Sequence, residues 1–212
     1  MSATTSPRPT RGTRERSYGQ DPATAADRLG RWLSQRRVRR AIGSFRGKRV
    51  GDFGCGFHAE LVRPYLFEVS HAVLVDIALA DDLKQASNVT AIEGTLPGAL
   101  DALEAQSLDF VLCNNVLEHL AEPREALRHF RRIVKPGGTC LFSVPSWRGK
   151  FFLELAAFQL RLIDPVEVEE HKDYFEREDL WRLLVSAGFK PSEITCGSHK
   201  LGLNTFAVCR VK

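Results

Sequence analysis

The sequence lacks an apolar stretch long enough to cross a membrane as a helix. Its longest apolar run, FFLELAAF at residues 151–158, is interrupted by Glu154. That run is far shorter than the roughly 20 residues that a spanning helix needs. Residues 1–17 also lack the apolar core of a secretory signal. We therefore expect a soluble, cytoplasmic protein.

Paired cysteines are also missing. The 212 residues contain five cysteines, and no two of them have CxxC spacing or a metal-binding spacing with histidine. A scattered, odd set is typical of reduced thiols inside a cell. The pattern predicts neither a disulfide framework nor a metal site.

Acidic residues are scarce in the first quarter of the chain. Residues 1–49 contain 13 Lys and Arg against 3 Asp and Glu, whereas the remainder contains 17 against 23. We expect residues 1–20, rich in Ser, Thr, Pro and Arg, to form a disordered basic tail. Apolar residues spaced by three or four predict a helical arm or lid over residues 21–48, with Asp21 as its N-cap. The basic charge fits either a solvated surface or a grip on an acidic partner such as RNA.

From Arg49 onward, apolar strands alternate with helices. That rhythm predicts a three-layer α/β domain over residues 49–212, with a mostly parallel sheet covered by helices on both faces. Two short segments near the end, SEITCGS and NTFAVCRV, are close enough in sequence to pair antiparallel. The other predicted strands are RVGDF, AVLVDI, NVTAIE, LDFVLCN and TCLFSVP, and the predicted helices include HAELVRPYLF, residues 78–85, PREALRHFRRI and EREDLWRLLVSAGF.

A glycine turn follows the first strand. Gly54 and Gly56 allow a sharp turn and a close approach of a ligand to the backbone. Asp76 ends the second strand, and its distance from the glycines is typical of an acid that binds ribose hydroxyls. The pattern therefore predicts a cofactor that contains ribose, bound beyond the carboxyl ends of the strands.

Asp52 argues against a dinucleotide, although Gly54, Gly56 and Ala59 fit part of a dinucleotide fingerprint. A pyrophosphate needs backbone N–H donors and a positive helix end, and a carboxylate two residues before the first glycine would repel it. A ligand that carries an ammonium and a sulfonium beside its ribose favours that carboxylate. S-adenosylmethionine (SAM) has this charge pattern.

Five segments in this order resemble the class I, seven-strand SAM-dependent methyltransferases of the small-molecule groups called methyltransferase type 11 and 12. They are VGDFGCG, VLVDI, LDFVLCNNVLEHL, RIVKPGGTCLFSVPS and EHKDYFEREDLWRLLVSAGF. The resemblance implies a Rossmann-like sheet of seven strands and methyl transfer from SAM. It also implies a cofactor site made of Asp52, Gly54, Cys55, Gly56, Asp76, Ile77, Gly94, Thr95, Asn114 and Asn115.

Within that site, the resemblance assigns the methionine end of the cofactor to Asp52 and the glycines, and the ribose to Asp76. Glu93 to Thr95 would lie beside the adenine, although the family often has an acid where this chain has Thr95. Asn114 and Asn115 would face the sulfonium and the acceptor.

Two histidines are candidate general bases. His119 follows the fourth strand and stands beside Glu118, and His171 follows the fifth strand in EEHKDYF. The pKa of histidine suits the removal of a proton from a hydroxyl near neutral pH. The alternative for His119 is a structural role at the start of a helix, with Leu117 and Leu120 in the core.

The acceptor is less well defined by the sequence. Methyltransferases of exocyclic amines on bases carry an Asn/Asp/Ser-Pro-Pro-aromatic turn after the fourth strand, and NNVLEHL has no proline there. An apolar segment at 151–163 and the basic arm suit a small-molecule, lipid-linked or glycan-pathway acceptor, methylated on oxygen or nitrogen. Tyr18 is expected to close over the cofactor. The alternatives are an RNA methyltransferase that uses the basic arm and a SAM-binding partner protein without catalysis.

Overall fold

The computed structural model of the protein describes residues 17–19, 24–149 and 174–212. Its centre is one seven-stranded sheet with the order β3-β2-β1-β4-β5-β7-β6. Strand β7 runs antiparallel to both of its neighbours, and the pairs among β1 to β5 are parallel. The strands are β1 (Arg49–Phe53), β2 (His71–Asp76), β3 (Val89–Glu93), β4 (Leu108–Asn114), β5 (Val134–Pro145), β6 (Ile194–His199) and β7 (Asn204–Arg210). The predicted fold class is confirmed.

Four helices in the described part of the chain pack against this sheet: α1 (Ala25–Ile42), α2 (Asp81–Gln85), α3 (Pro123–Ile133) and α4 (Arg177–Ser186). Side chains of α3 and α4, with Leu127 and Leu184 among them, join a core on one face. Val38 of α1 joins a second core on the other face. The sheet is therefore buried on both faces, which explains why its strands read as nearly continuous apolar runs.

Helix α1 is one continuous helix, and the prediction of its N-cap was wrong. The N-cap is Thr24, whose hydroxyl accepts a hydrogen bond from the Asp27 N–H, while the Asp27 carboxylate accepts from the Thr24 N–H. This reciprocal capping box satisfies two N–H groups at once. Thr24 and Asp27 have the T-x-x-D spacing of a capping box, so the sequence contained a signal for this N-cap as well as for Asp21-Pro22.

The helix predicted at HAELVRPYLF was also wrong. That segment contains only a short 3₁₀ turn, Arg63–Tyr65, with Pro64 in its first turn. Proline has no N–H to donate, and Ala59 has a φ of 47°, which leaves the helical region. The segment still buries Leu61, Val62 and Tyr65, so its apolar pattern reflects packing rather than a helix.

The remaining strand predictions agree closely with the structure, except that β5 begins at Val134, before the Pro-Gly-Gly stop, rather than at Thr139. The described cysteines are all free thiols. Burial raises the pKa of Cys113, Cys140 and Cys209, as expected of inert core thiols. Of the helices in the described ranges, none is both long enough and apolar enough to cross a membrane.

Candidate cofactor and active site

The glycine turn is tied to the carboxyl end of the neighbouring strand. The N–H groups of Gly54 and Cys55 both donate to the Val75 carbonyl, at 2.7 and 3.2 Å. Gly54 has a φ of 71°, and a Cβ on it would come within 2.2 Å of Val116 Cγ2. Only glycine fits this position, because both the backbone conformation and the contact with Val116 exclude a side chain.

Asp76 is the polar centre of the turn. Its Oδ2 accepts a hydrogen bond of 2.7 Å from the Gly56 N–H, and its Oδ1 accepts 2.8 Å from the Ile77 N–H. The Ser17 hydroxyl also donates to Oδ1, at 2.5 Å. The carboxylate is thus oriented by the backbone of the turn, with one contact supplied by a side chain from before α1.

Asp52 lies on β1 at the same edge of the sheet and is only 1% exposed. Its Oδ2 has no hydrogen-bond donor among residues 17–19, 24–149 and 174–212. Burial, together with the nearby charge of Asp76, raises the pKa of Asp52 to about 8. Buried carboxylates are normally paired, so this one marks a place where a donor or a cation from outside would be stabilised.

The segment 17–19 lies over the turn. The Tyr18 carbonyl accepts a hydrogen bond of 2.8 Å from the Phe57 N–H, and it lies 3.0 Å from the position of a Cβ on Gly56. The Ser17 side chain is buried against Asp76. The backbone of Tyr18 therefore lies at the glycine turn, and closure of Tyr18 over the cofactor stays a prediction. Ser17, which no pattern in the sequence singles out, also lies there.

The carboxyl end of β3 lies next to that of β2. The Gly94 N–H donates to the Asp76 carbonyl, which places Gly94 directly beside the β2 end, and Thr95 after it is exposed. Glu93 accepts from the Leu79 N–H and pairs with Lys84 at 2.7 Å, and the Lys84 hydrogen bond lowers the pKa of Glu93. These contacts occupy Glu93 and leave Thr95 facing solvent.

The end of β4 lies on the other side of β1. Asn114 ends the strand, and Asn115 adopts a φ of 55°, its N–H donating to the Ser143 carbonyl at 2.7 Å. The Asn115 Oδ1 accepts a hydrogen bond of 2.9 Å from Asn204 at the start of β7. Contacts with β5 and β7 therefore orient Asn115 and fix its side chain at the end of β4.

The candidate bases differ in what the structure shows of them. His119 ends a short 3₁₀ turn, Leu117–His119, in which Leu117 and Glu118 are fully buried and His119 is partly buried. This turn directly follows Asn115 and Val116, so it borders the glycine turn. His171 and the apolar segment 151–163 lie outside the described residues, as does most of the predicted basic tail.

Comparison with known proteins agrees with this geometry. Residues 25–194 match the family model described as a methyltransferase domain. The ubiquinone biosynthesis O-methyltransferase of Neisseria meningitidis serogroup C (strain 053442) is 27% identical over 175 residues, which cover 77% of this chain and 73% of that protein.

Two solved structures share the fold. A SAM-dependent methyltransferase from Archaeoglobus fulgidus superimposes with a TM-score of 0.62 at 19% identity, covering 85% of this chain and 94% of the other. A SAM-dependent methyltransferase from Thermotoga maritima, described as a possible histamine N-methyltransferase, has a TM-score of 0.60 at 19% identity and covers 87% and 90%. At these identities the likeness shows the fold alone.

Proposed function

This chain belongs to the methyltransferase domain family, and we propose that it transfers the methyl group of SAM to a hydroxyl oxygen of a small-molecule acceptor. The chain is a SAM-dependent methyltransferase by family and fold. The choice of oxygen is supported by relatives named as O-methyltransferases, which share 27% of their aligned residues with it.

The observation that carries the cofactor assignment is the pair Asp52 and Asp76. One carboxylate has a buried oxygen without a donor in the described residues, and the other lies at the end of β2, bonded to the glycine turn. A ligand with a positive charge and a ribose supplies a cation for Asp52, whose Oδ2 lacks a donor in the described residues, and hydroxyl donors for Asp76 in place of the Ser17 hydroxyl. The residues present therefore fit SAM and are a poor fit for a pyrophosphate.

We assign the roles from the positions along the sheet edge. Asp52, Gly54, Cys55 and Gly56 hold the methionine end. Asp76 and Ile77 hold the ribose, Gly94 and Thr95 border the adenine, and Asn114 and Asn115 face the transferring methyl group. Ser17 occupies one oxygen of Asp76, so it must release that oxygen before a ribose hydroxyl can bind there.

When bound, the cofactor supplies an electrophilic methyl group on a sulfonium. The protein aligns the acceptor oxygen behind that methyl group, and alignment of this kind is worth up to ~7–11 kcal/mol in intramolecular reactions. His119, on the turn after β4, takes the proton of the acceptor hydroxyl, and His171 is the second candidate for this role. A base contributes about 10²–10⁴-fold to such a reaction.

Several arginines of the basic arm contact the protein itself, which favours a small acceptor over RNA. Arg31 pairs with Glu60, and the Arg37 guanidinium lies 3.4 Å from the centre of the Phe206 ring. Arg39 lies over Tyr65 at 5.7 Å. Arginines used in this way are less available to grip phosphates.

The test is calorimetric binding of SAM, S-adenosylhomocysteine and NAD to the purified chain, followed by mass-spectrometric detection of methyl transfer to a panel of phenols and catechols. Asp76→Asn should weaken binding of the two sulfur cofactors by ~10²-fold, because it removes a charged hydrogen-bond acceptor. Asp81→Asn, at the exposed start of α2, is the matched control. Binding of NAD in preference to SAM, or equal binding by both variants, would contradict the cofactor site.

A further inference from the structure

A lysine and a leucine at consecutive positions have exchanged their usual environments. Lys200 and Leu201 form the turn between β6 and β7, with Lys200 partly buried and Leu201 98% exposed. Lysine side chains are usually exposed and leucine side chains are usually buried, so this turn reverses the ordinary arrangement. Such an arrangement points to a role for the ammonium rather than to stability.

The backbone of this turn is held in an unfavourable conformation. Lys200 has a φ of 50° and Leu201 a φ of 58°, and neither is glycine. Each such residue costs about 1–2 kcal/mol, so the surrounding structure must fix the turn. Ser146 does so: its hydroxyl donates to the Gly202 carbonyl at 2.6 Å, and its N–H donates to the Leu203 carbonyl at 3.0 Å.

The ammonium of Lys200 lies beside α1. Its Nζ is 3.9 Å from the position that a Cβ on Gly30 would occupy. Burial lowers the pKa of Lys200, and the charge of the fully buried Glu118 acts in the opposite direction. Asn204, which starts β7 just after this turn, donates a hydrogen bond of 2.9 Å to the Asn115 Oδ1, so the turn lies beside the strand ends that carry the cofactor residues.

The two ends of the crevice therefore differ in charge. Toward β2 it has Asp52 and Asp76, whereas toward β5 and β7 it has the turn that carries Lys200. An ammonium has three N–H donors, so it can donate to an anionic oxygen of a ligand as well as to a neighbouring acceptor.

We propose that Lys200, on the turn between β6 and β7, binds an anionic oxygen of the methyl acceptor at the end of the crevice away from Asp76. The oxygen belongs either to a carboxylate or to a phenolate. The proposal rests on the proposed function, because it assigns the acceptor side of the same crevice. It makes Lys200 a residue that selects acidic acceptors.

The test measures binding of three probes to the full chain by calorimetry, with and without S-adenosylhomocysteine: benzoate, catechol and protocatechuate, which carries both groups. The variants are Lys200→Met, Lys200→Gln and Lys200→Arg, with Lys48→Met as the control, since Lys48 is exposed and precedes β1. Removal of the ammonium should weaken binding by about 10–100-fold, as expected for a hydrogen bond to a charged group. Lys200→Arg should keep most of the affinity, and S-adenosylhomocysteine binding should be unchanged in all variants.

The outcomes distinguish a carboxylate from a phenolate, and they test the role of Lys200 separately from the cofactor site. Weaker benzoate and protocatechuate binding with unchanged catechol binding identifies a carboxylate, and weaker binding of all three identifies a phenolate as well. If the wild-type chain binds none of the probes, or if Lys200→Met and Lys200→Gln bind them as tightly as the wild type, the inference is overturned. Failure of S-adenosylhomocysteine to bind would instead overturn the cofactor site, and probe binding measured without it would still decide the role of Lys200.

Discussion

The Ser17 hydroxyl donates a hydrogen bond of 2.5 Å to Asp76 Oδ1, although the two residues are 59 positions apart. Asp76 is the acid that we propose for the ribose, and its Oδ1 already accepts from Ser17 and Ile77. In the proposed site a ribose hydroxyl at Oδ1 competes with the Ser17 hydroxyl, so removal of that hydroxyl should change the affinity for the cofactor.

Replacing Ser17 by alanine should tighten SAM binding by ~10–100-fold, because the Asp76 oxygen is then free of an internal donor, and a hydrogen bond to a charged group is worth about 1.5–3 kcal/mol. Calorimetry measures the affinity, and Ser192→Ala, at an exposed position in another turn, is the control. Weaker binding by Ser17→Ala would mean that Ser17 supports the cofactor site instead of competing for it.

Gly54→Ala should destabilise the chain by more than its backbone strain alone. Gly47 has a similar φ, 68°, but a Cβ added there would meet no atom within 4 Å, whereas a Cβ on Gly54 would face Val116 at 2.2 Å. We expect a loss of about 1–2 kcal/mol for Gly47→Ala and a further ~1–3 kcal/mol for Gly54→Ala. Urea unfolding measures the loss of stability in both variants. Adding Val116→Ala to the Gly54→Ala variant should recover part of the extra loss. Equal losses at both glycines would rule out a steric contribution from Val116.

Asp52 should make the unliganded chain less stable as the pH rises. Its pKa is raised to about 8 from an ordinary value of 3.8, so its carboxyl is protonated in the folded state where the unfolded chain is ionised. The stability from this group is fully present below about pH 4 and is lost as the pH rises through about 8, at most ~1.4 kcal/mol per pH unit. The Asp52→Asn variant has no titrating group at this position. Its free energy of unfolding should therefore fall less than that of the wild type between pH 5 and pH 8. Parallel pH profiles would show that Asp52 is already ionised in the fold.

His119→Ala should lower turnover by ~10²-fold while leaving SAM affinity within about 3-fold, because a base acts on the acceptor and not on the cofactor. His171→Ala is expected to behave in the same way. Initial rates with the best acceptor of the panel, together with calorimetry, separate the two effects. Wild-type rates in both variants would exclude a base at these positions.

The sheet was predictable because its strands are buried on both faces. Val73, Leu74 and Val75 are buried on successive positions of β2, so a continuous apolar run was enough to place the strand. The prediction of a helix at 58–67 was wrong because Leu61, Val62 and Tyr65 have helical spacing, whereas Pro64 and the positive φ of Ala59 prevent a helix.

Residues of the candidate site carried a signal in the sequence only where they lie at the carboxyl end of a strand. Asp52 lies near the end of β1, Asp76 ends β2 and Asn115 follows β4, and the order of the strands brings these ends side by side. Ser17 and Lys200 carry no local signal. Their positions depend on the docking of segments far apart in sequence, which no spacing rule describes.

The order β5-β7-β6 has a consequence for how the protein is made. Among the described strands, β6 pairs only with β7, and β7 follows it in the chain. While the chain is being synthesised, the edge of β5 stays open, and β6 has no partner, until Asn204–Arg210 has left the ribosome. Until β7 is complete, a nascent chain therefore exposes the apolar edge of β5, and an open strand edge favours pairing with neighbouring chains.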